Sequence, residues 1–130
     1  VRIEPDHMQI GQVAARTELS LKTIRHYDEV GLVTPSARSA GGFRLYTEGD
    51  VQRLLVIRRM KPLGFSLEEM RELLAALDVI ADTGAVPEAV AAARTVLAGF
   101  HERAEDSCAR LRTQLAYAEE LTSLLESHAG

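Results

Sequence analysis

Five side chains within residues 22–27 can engage phosphate oxygens: Lys22 and Arg25 by charge, Thr23 and Tyr27 through hydroxyls, His26 through its ring nitrogens. The following stretch adds Arg38, Arg44 and Tyr46, and Lys61 comes after it. Arg58 and Arg59, one turn before Lys61, either extend this basic track or stay solvated on a helix surface. His26 reads equally as an exposed helical residue, and Tyr27 as a ring that covers the core with its hydroxyl outward. The chemistry on offer is reversible binding of a polyanion. Bond-making chemistry lacks its parts: there is no nucleophile–base set and no glycine-rich phosphate loop. Asp28-Glu29 and Glu68-Glu69 are adjacent on helices and diverge, so they read as solvated or capping charges. No enzyme and no cofactor are expected.

The elements that must hold those residues can be read from periodicity and punctuation. Residues 10–18 place Ile10, Val13 and Ala14 at helical spacing. Ser20 is an N-cap for a second helix over residues 21–30, ended by Gly31 in the left-handed conformation. Two short helices joined by a tight turn are a helix-turn-helix. Its second helix is expected to turn Leu21, Ile24 and Val30 inward and Lys22, Thr23, Arg25, His26 and Tyr27 outward. Strand-forming residues then flank Ser39-Ala-Gly-Gly42, which predicts a β-hairpin. Alternation places Phe43 and Leu45 on one face and Arg44 and Tyr46 on the other. Arg38 and Arg44 then stand where such a wing approaches a nucleic-acid backbone.

Thr47 caps a further helix carrying Val51, Leu54, Leu55, Ile57 and Met60, terminated by Pro62 and Gly64. Ser66-Leu-Glu-Glu69 is a capping box that opens a helix to about Leu77. Residues 78–87 read as a linker. From residue 88 to residue 127 no proline interrupts, and roughly 40 residues of helix reach about 60 Å. Apolar positions from Val90 to Leu125 recur three and four apart, with a stutter at Phe100, Ala104 and Cys108. A stripe that long needs a second helix, which a second copy of the chain supplies. Leu97, Phe100, Leu111, Leu115 and Leu125 are the expected seam of a homodimer.

Composition bounds these readings. The chain has 130 residues, 46% hydrophobic and 26% charged, the profile of a globular protein, with no apolar run of membrane-spanning length. Residues 1–7 lack the apolar core of a secretory signal. Net charge is −4, but it is unevenly spread. Residues 1–66 hold ten Lys/Arg against seven Asp/Glu, and residues 67–130 hold five against twelve. A basic contact module therefore carries an acidic remainder. A single cysteine, Cys108, excludes an intrachain disulfide and fits a reducing cytoplasmic setting, nucleoid-associated if the polyanion is DNA. In an apolar stripe Cys108 reads first as a small buried hydrophobe. The alternative is a redox or soft-metal site, which His101, two turns earlier, can complete only across a dimer.

Met8-Gln-Ile-Gly-Gln-Val-Ala, then Ser20-Leu-Lys-Thr-Ile-Arg-His-Tyr-Asp-Glu-Val-Gly-Leu-Val-Thr-Pro35, Gly42-Phe-Arg-Leu-Tyr46, Asp50-Val51 and Leu63-Gly-Phe-Ser-Leu67 follow one another in an order that resembles the MerR family of transcriptional regulators. The resemblance covers residues 8–75. It implies a mainly α fold, a winged helix-turn-helix DNA-binding domain over residues 8–77 followed by a long helix over 88–127 that forms an antiparallel coiled-coil dimer. It also implies binding of double-stranded DNA at a pseudo-palindromic promoter operator, with RNA polymerase affected through distortion of the duplex and an effector that sets the dimer's geometry. Family members that sense metals carry extra cysteines near the dimer helix, which this sequence does not show, so no metal site is expected. An architectural or recombination-accessory DNA-binding protein with the same module and no effector is the other reading.

Overall fold

Hydroxyl caps and a pinned turn set the first helices of the computed structural model, which describes residues 7–129; the reading of residues 1–6 falls outside them. A two-residue strand, β1 (Met8–Gln9), leads into α1 (Ile10–Thr17). Thr17, fully buried, donates its hydroxyl to the Val13 carbonyl at 2.8 Å and accepts the Leu19 amide at 3.3 Å. Arg58 Nη1 donates to the Thr17 carbonyl at 2.8 Å. Glu18 turns the chain at φ 60° with its amide bonded back to the Ala14 carbonyl. Ser20 then caps α2 (Leu21–Glu29), its Oγ accepting the Thr23 amide at 3.0 Å. Past the helix Gly31 stands at φ 71°, a conformation that favours glycine. Arg71 donates to the Val30 and Gly31 carbonyls at 2.6 and 3.2 Å, satisfying acceptors that the end of a helix leaves open.

The hairpin forms as β2 (Ala37–Arg38) and β3 (Arg44–Tyr46), closed by the Gly42 amide on the Ser39 carbonyl at 2.9 Å. β1 also pairs with β3, so the sheet is antiparallel with three strands in the order β1-β3-β2. That makes β3 the central strand, packed against α1 and the helix that follows it. The face polarity expected from alternation is corrected here. Tyr46 is completely buried, whereas Phe43 is 65% exposed at the wing tip. Tyr46 fills the core, so its hydroxyl does not reach phosphate as expected.

The next helix, α3 (Glu48–Met60), starts at Thr47, whose Oγ1 accepts the Asp50 amide at 3.2 Å. Asp50 answers with a nearly buried carboxylate that accepts the Thr47 amide at 2.9 Å, the Ser36 amide at 3.1 Å and the Ser36 hydroxyl at 2.8 Å. This cluster ties the start of the wing to the start of α3, and it leaves the buried charge fully bonded. A 3₁₀ turn at Lys61–Leu63 and Gly64 at φ 84° end α3. In α4 (Leu67–Ala81) the Ser66–Glu69 capping box forms in both directions, at 3.1 and 2.9 Å. The helix continues beyond the expected Leu77 to Ala81, because no glycine or proline intervenes before Gly84, and the linker shrinks to residues 82–86.

Val13, Ile24, Tyr27, Tyr46, Val51, Leu54, Ile57 and Leu74 make up the core of the first of two compact units, which extends to Leu74. Leu21, expected inward, is 39% exposed, and Tyr27 takes its place at 3%. Helical phase explains the exchange, since Tyr27 sits at the centre of the face that Thr23, Ile24 and Val30 share, and Leu21 lies about 120° round the helix from it. The second unit, from Ala75, contains α5 (Pro87–Ala129), 43 residues and about 64 Å long. Ala93, Phe100 and Ser107, seven apart and so on one face, are buried within the single chain. Phe100, expected in an intersubunit seam, is thus already covered, with the Arg103 guanidinium 5.5 Å from its ring centroid. Leu97 is half-buried, and from residue 109 onward every described residue is exposed, Leu111 at 44%, Leu115 at 60% and Leu125 at 58%.

Two stability predictions arise from this packing. The buried Tyr46 hydroxyl has no hydrogen-bond partner among the described residues, and an unsatisfied buried polar group costs roughly 1–3 kcal/mol. Tyr46→Phe is expected to hold or raise stability, by about 1 kcal/mol, in urea unfolding; a loss of that size would show the hydroxyl to be bonded. Glu48 receives hydrogen bonds from Arg16 at 2.6 and 2.9 Å and from Gln52 at 2.9 Å. Arg16 first, then Gln52, holds its carboxyl at about 2, below its ordinary 4.5. A carboxyl depressed in the folded state contributes stability above its unfolded value and loses it as pH falls through the folded one. Wild type is therefore expected to lose stability relative to Glu48→Gln as pH drops from 4.5 to about 2. Both side chains are about half exposed, so about 1 M salt should flatten that difference.

Candidate nucleic-acid interface

Capping by Ser20 fixes the phase of α2 and so decides which of its side chains face outward. Lys22, Arg25 and His26 are exposed, and Thr23 is half-buried with its Oγ1 accepting from the Ser20 hydroxyl at 2.9 Å. Tyr27 is buried behind them: its ring is core, 5.9 Å from the His26 ring, and burial raises its hydroxyl pKa. One flank of α2 opens onto a groove of about 380 Å³ lined by Lys22, Thr23, His26, Tyr27 and Lys61 over an apolar floor of Phe65, Leu67 and Met70. Five of the nine sequence-predicted contact residues therefore meet at one cleft. The 3₁₀ turn after α3 is what delivers Lys61 to it.

On the other flank Arg25 and Arg44 border a smaller depression of about 150 Å³ with Gln9, Ile10, Gly42 and Phe43. Arg38 and Arg44 stand directly across from each other in the β2–β3 register. Both approach one acid. Arg44 Nε donates to Asp28 Oδ2 at 2.6 Å, and Arg38 Nη2 lies 3.6 Å from the same oxygen. The bonded carboxylate raises the Arg44 guanidinium further above its ordinary value. Tyr46, behind them, is pushed up by burial and then by the Asp28 charge. Arg58 is spent on the Thr17 carbonyl, whereas Arg59 is exposed. Arg38, half exposed, and Arg44, about one-third exposed, keep surface for a ligand.

Sequence reasoning did not single out Asp28, Phe43 or β1 as parts of this surface. Asp28 looked like one of two adjacent solvated acids, and only the fold brings it beneath the wing. Phe43 follows Gly42, whose φ of 80° turns the ring away from the core; the paired glycines were the available signal. Elsewhere, Cys108 is half-buried on α5, and His101 Nδ1 lies 3.2 Å from Glu105 Oε1. Among the described residues no group of three or more His, Cys, Asp or Glu could hold a metal ion. None of their helices is long and apolar enough to cross a membrane.

Comparison with known proteins converges on one family. The family described as MerR HTH family regulatory protein matches residues 8–77, and that described as MerR, DNA binding matches residues 51–124. HTH-type transcriptional regulator ZntR of Escherichia coli is 50% identical over 66 residues, which are 51% of this chain and 47% of ZntR. The chain thus spans about half the length of the curated relatives it matches. PbrR691 from Ralstonia metallidurans, solved in complex with lead(II), is 30% identical with a TM-score of 0.55 and covers 92% of this chain and 84% of that one. HiNmlR, a MerR family regulator lacking the sensor domain and bound to promoter DNA, shares the fold at a TM-score of 0.71 and 19% identity, over 93% of this chain and 91% of that one.

Proposed function

Because this chain belongs to the MerR family of helix-turn-helix regulatory proteins, we propose that it is a homodimeric transcriptional regulator that binds a pseudo-palindromic operator in promoter DNA. The observation that carries the reading is the exposed cationic face of α2, flanked by Lys61 on one side and by the arginines of the wing on the other. An α-helix fits the major groove, about 12 Å wide, and a wing beside it reaches the phosphate backbone. Lys22 and Arg25 contact DNA from the helix, Arg38 and Arg44 from the wing, and Lys61 from the end of α3, with Thr23 and His26 beside them.

Dimerisation is proposed through the second half of α5. Leu111, Leu115 and Leu125 are each 44–60% exposed on the stretch of α5 whose described residues are all exposed, and pairing with a second copy removes that apolar surface from water. Two heads at a fixed separation select half-sites at a fixed spacing. Bending or untwisting the duplex between them costs on the order of 1–6 kcal/mol, which phosphate contacts from both heads can offset. RNA polymerase then responds to the altered promoter, and an effector that favours one dimer geometry sets the direction of control. A cytoplasmic, nucleoid-associated location goes with this function.

Salt tests the contact directly. Each neutralised phosphate contributes about −0.9 to the slope of log K against log salt. Binding to a duplex recovered by selection from a random pool should therefore weaken steeply with salt. Lys61→Ala should make the slope shallower by about 2, one phosphate per head. A flat profile for the wild type would defeat the proposal. For the dimer, Leu115→Asp puts a charge into an apolar seam at a cost of several kcal/mol. Sedimentation should then report monomer; an intact dimer would relocate the seam.

A further inference from the structure

Asp28 sits in the last turn of α2, and its Oδ2 serves both strands of the wing: Arg44 of β3 at 2.6 Å and Arg38 of β2 at 3.6 Å. Those two arginines are directly opposed in register. Like charges in that position destabilise an antiparallel pair, so a wing with only structural duties gains nothing from the placement. The shared carboxylate removes the repulsion while leaving the trio with a net positive charge. Exposure is graded outward, with side chains 12% exposed for Asp28, 31% for Arg44 and 50% for Arg38. The acid is the least exposed of the three and the cations the most. A guanidinium has five N–H donors, and the bond to Asp28 uses the Nε–H of Arg44, leaving the remaining fork free to meet a phosphate.

We infer that Asp28 is a positioning residue for DNA binding, which holds the wing arginines at a set distance and angle from α2 before the duplex arrives. The inference rests on the DNA-binding function proposed above. An arginine already ordered gives up less rotamer freedom on contact than one recruited from solvent. Because Asp28 stands on α2 and its partners on β2 and β3, it also couples the helix that enters the groove to the strands that grip the backbone beside it.

Charge and positioning make opposite predictions for the same substitution, which is what makes the test decisive. Removing a carboxylate beside a polyanion should tighten binding if charge alone matters. If Asp28 positions the wing, Asp28→Asn should weaken binding of the full chain to the selected duplex, on the order of tenfold or more, and make the salt slope shallower by about 2 for two heads. Asp28→Glu, which keeps the carboxylate, should recover part of the loss. On an Arg44→Ala background Asp28→Asn should add little further loss, the non-additive pattern of residues acting as one unit. Fluorescence anisotropy supplies the Kd, and thermal melting confirms that each variant is folded. Asp28→Asn that binds as tightly as wild type, or tighter, overturns the assignment, as does a lowered Tm with an unchanged Kd. Wild type that binds no duplex overturns the DNA-binding function itself, a result distinct from either.

Discussion

Crowding cations onto one small surface is the constraint to which the head of this protein answers. The proposed contact set places five basic side chains on one side of the head, where like charges repel one another. The fold offsets this with individual acids rather than with a uniform counter-charge. Asp28 sits under Arg38 and Arg44, and Glu48 takes Arg16 away from the surface track. Two further arginines are engaged by backbone carbonyls, Arg58 by Thr17 and Arg71 by Val30 and Gly31. Arg58 and Arg71 thus brace the turns at either end of α2, whereas Arg25, Arg38 and Arg44 border its outer flank.

The acidic balance of the chain is likewise unevenly spread. The excess of Asp and Glu lies after residue 66, on α4 and the long α5. Its acids keep a largely exposed helix solvated along the flanks of its apolar positions. The apolar positions are then free to select a matching surface, which in the proposed dimer a second copy offers.

Much of the fold was legible because its signals are local. Ser20, Thr47 and Ser66 mark helix starts through hydroxyl-to-amide bonds within three residues, and all three bonds form. The long α5 was legible from the want of a breaker. The misread residues all depend on what lies across the fold. Alternation through β3 showed that Phe43 and Tyr46 face opposite ways, but which face is core is decided by α1 and α3, which pack against β3 from elsewhere in the chain. Leu21 and Tyr27 exchanged places because hydrophobicity ranks leucine first, whereas the covered face that Thr23, Ile24 and Val30 share is centred on Tyr27. Asp28 was unreadable as a wing residue, since its partners lie ten and sixteen positions away. The cationic residues themselves were found by type; which of them are spent on the fold required the structure.

Stiffness links these details to the proposed control of transcription. A protein that deforms a duplex must be harder to deform than the duplex, or the strain relaxes in the wrong partner. Distortion on the order of 1–6 kcal/mol is comparable with a few hydrogen bonds to charged groups, each about 1.5–3 kcal/mol. In the head such bonds fall at the joints where a winged helix-turn-helix would yield. Asp28 joins helix to wing, Asp50 joins the wing to α3, and Arg71 joins the end of α2 to α4. Each joint is bonded through a charged group that is at least partly buried, where screening by salt is weak. A head braced in this way suits the proposed mechanism, in which a change in the spacing of two heads has to pass to the DNA between them rather than be absorbed by wings that swing.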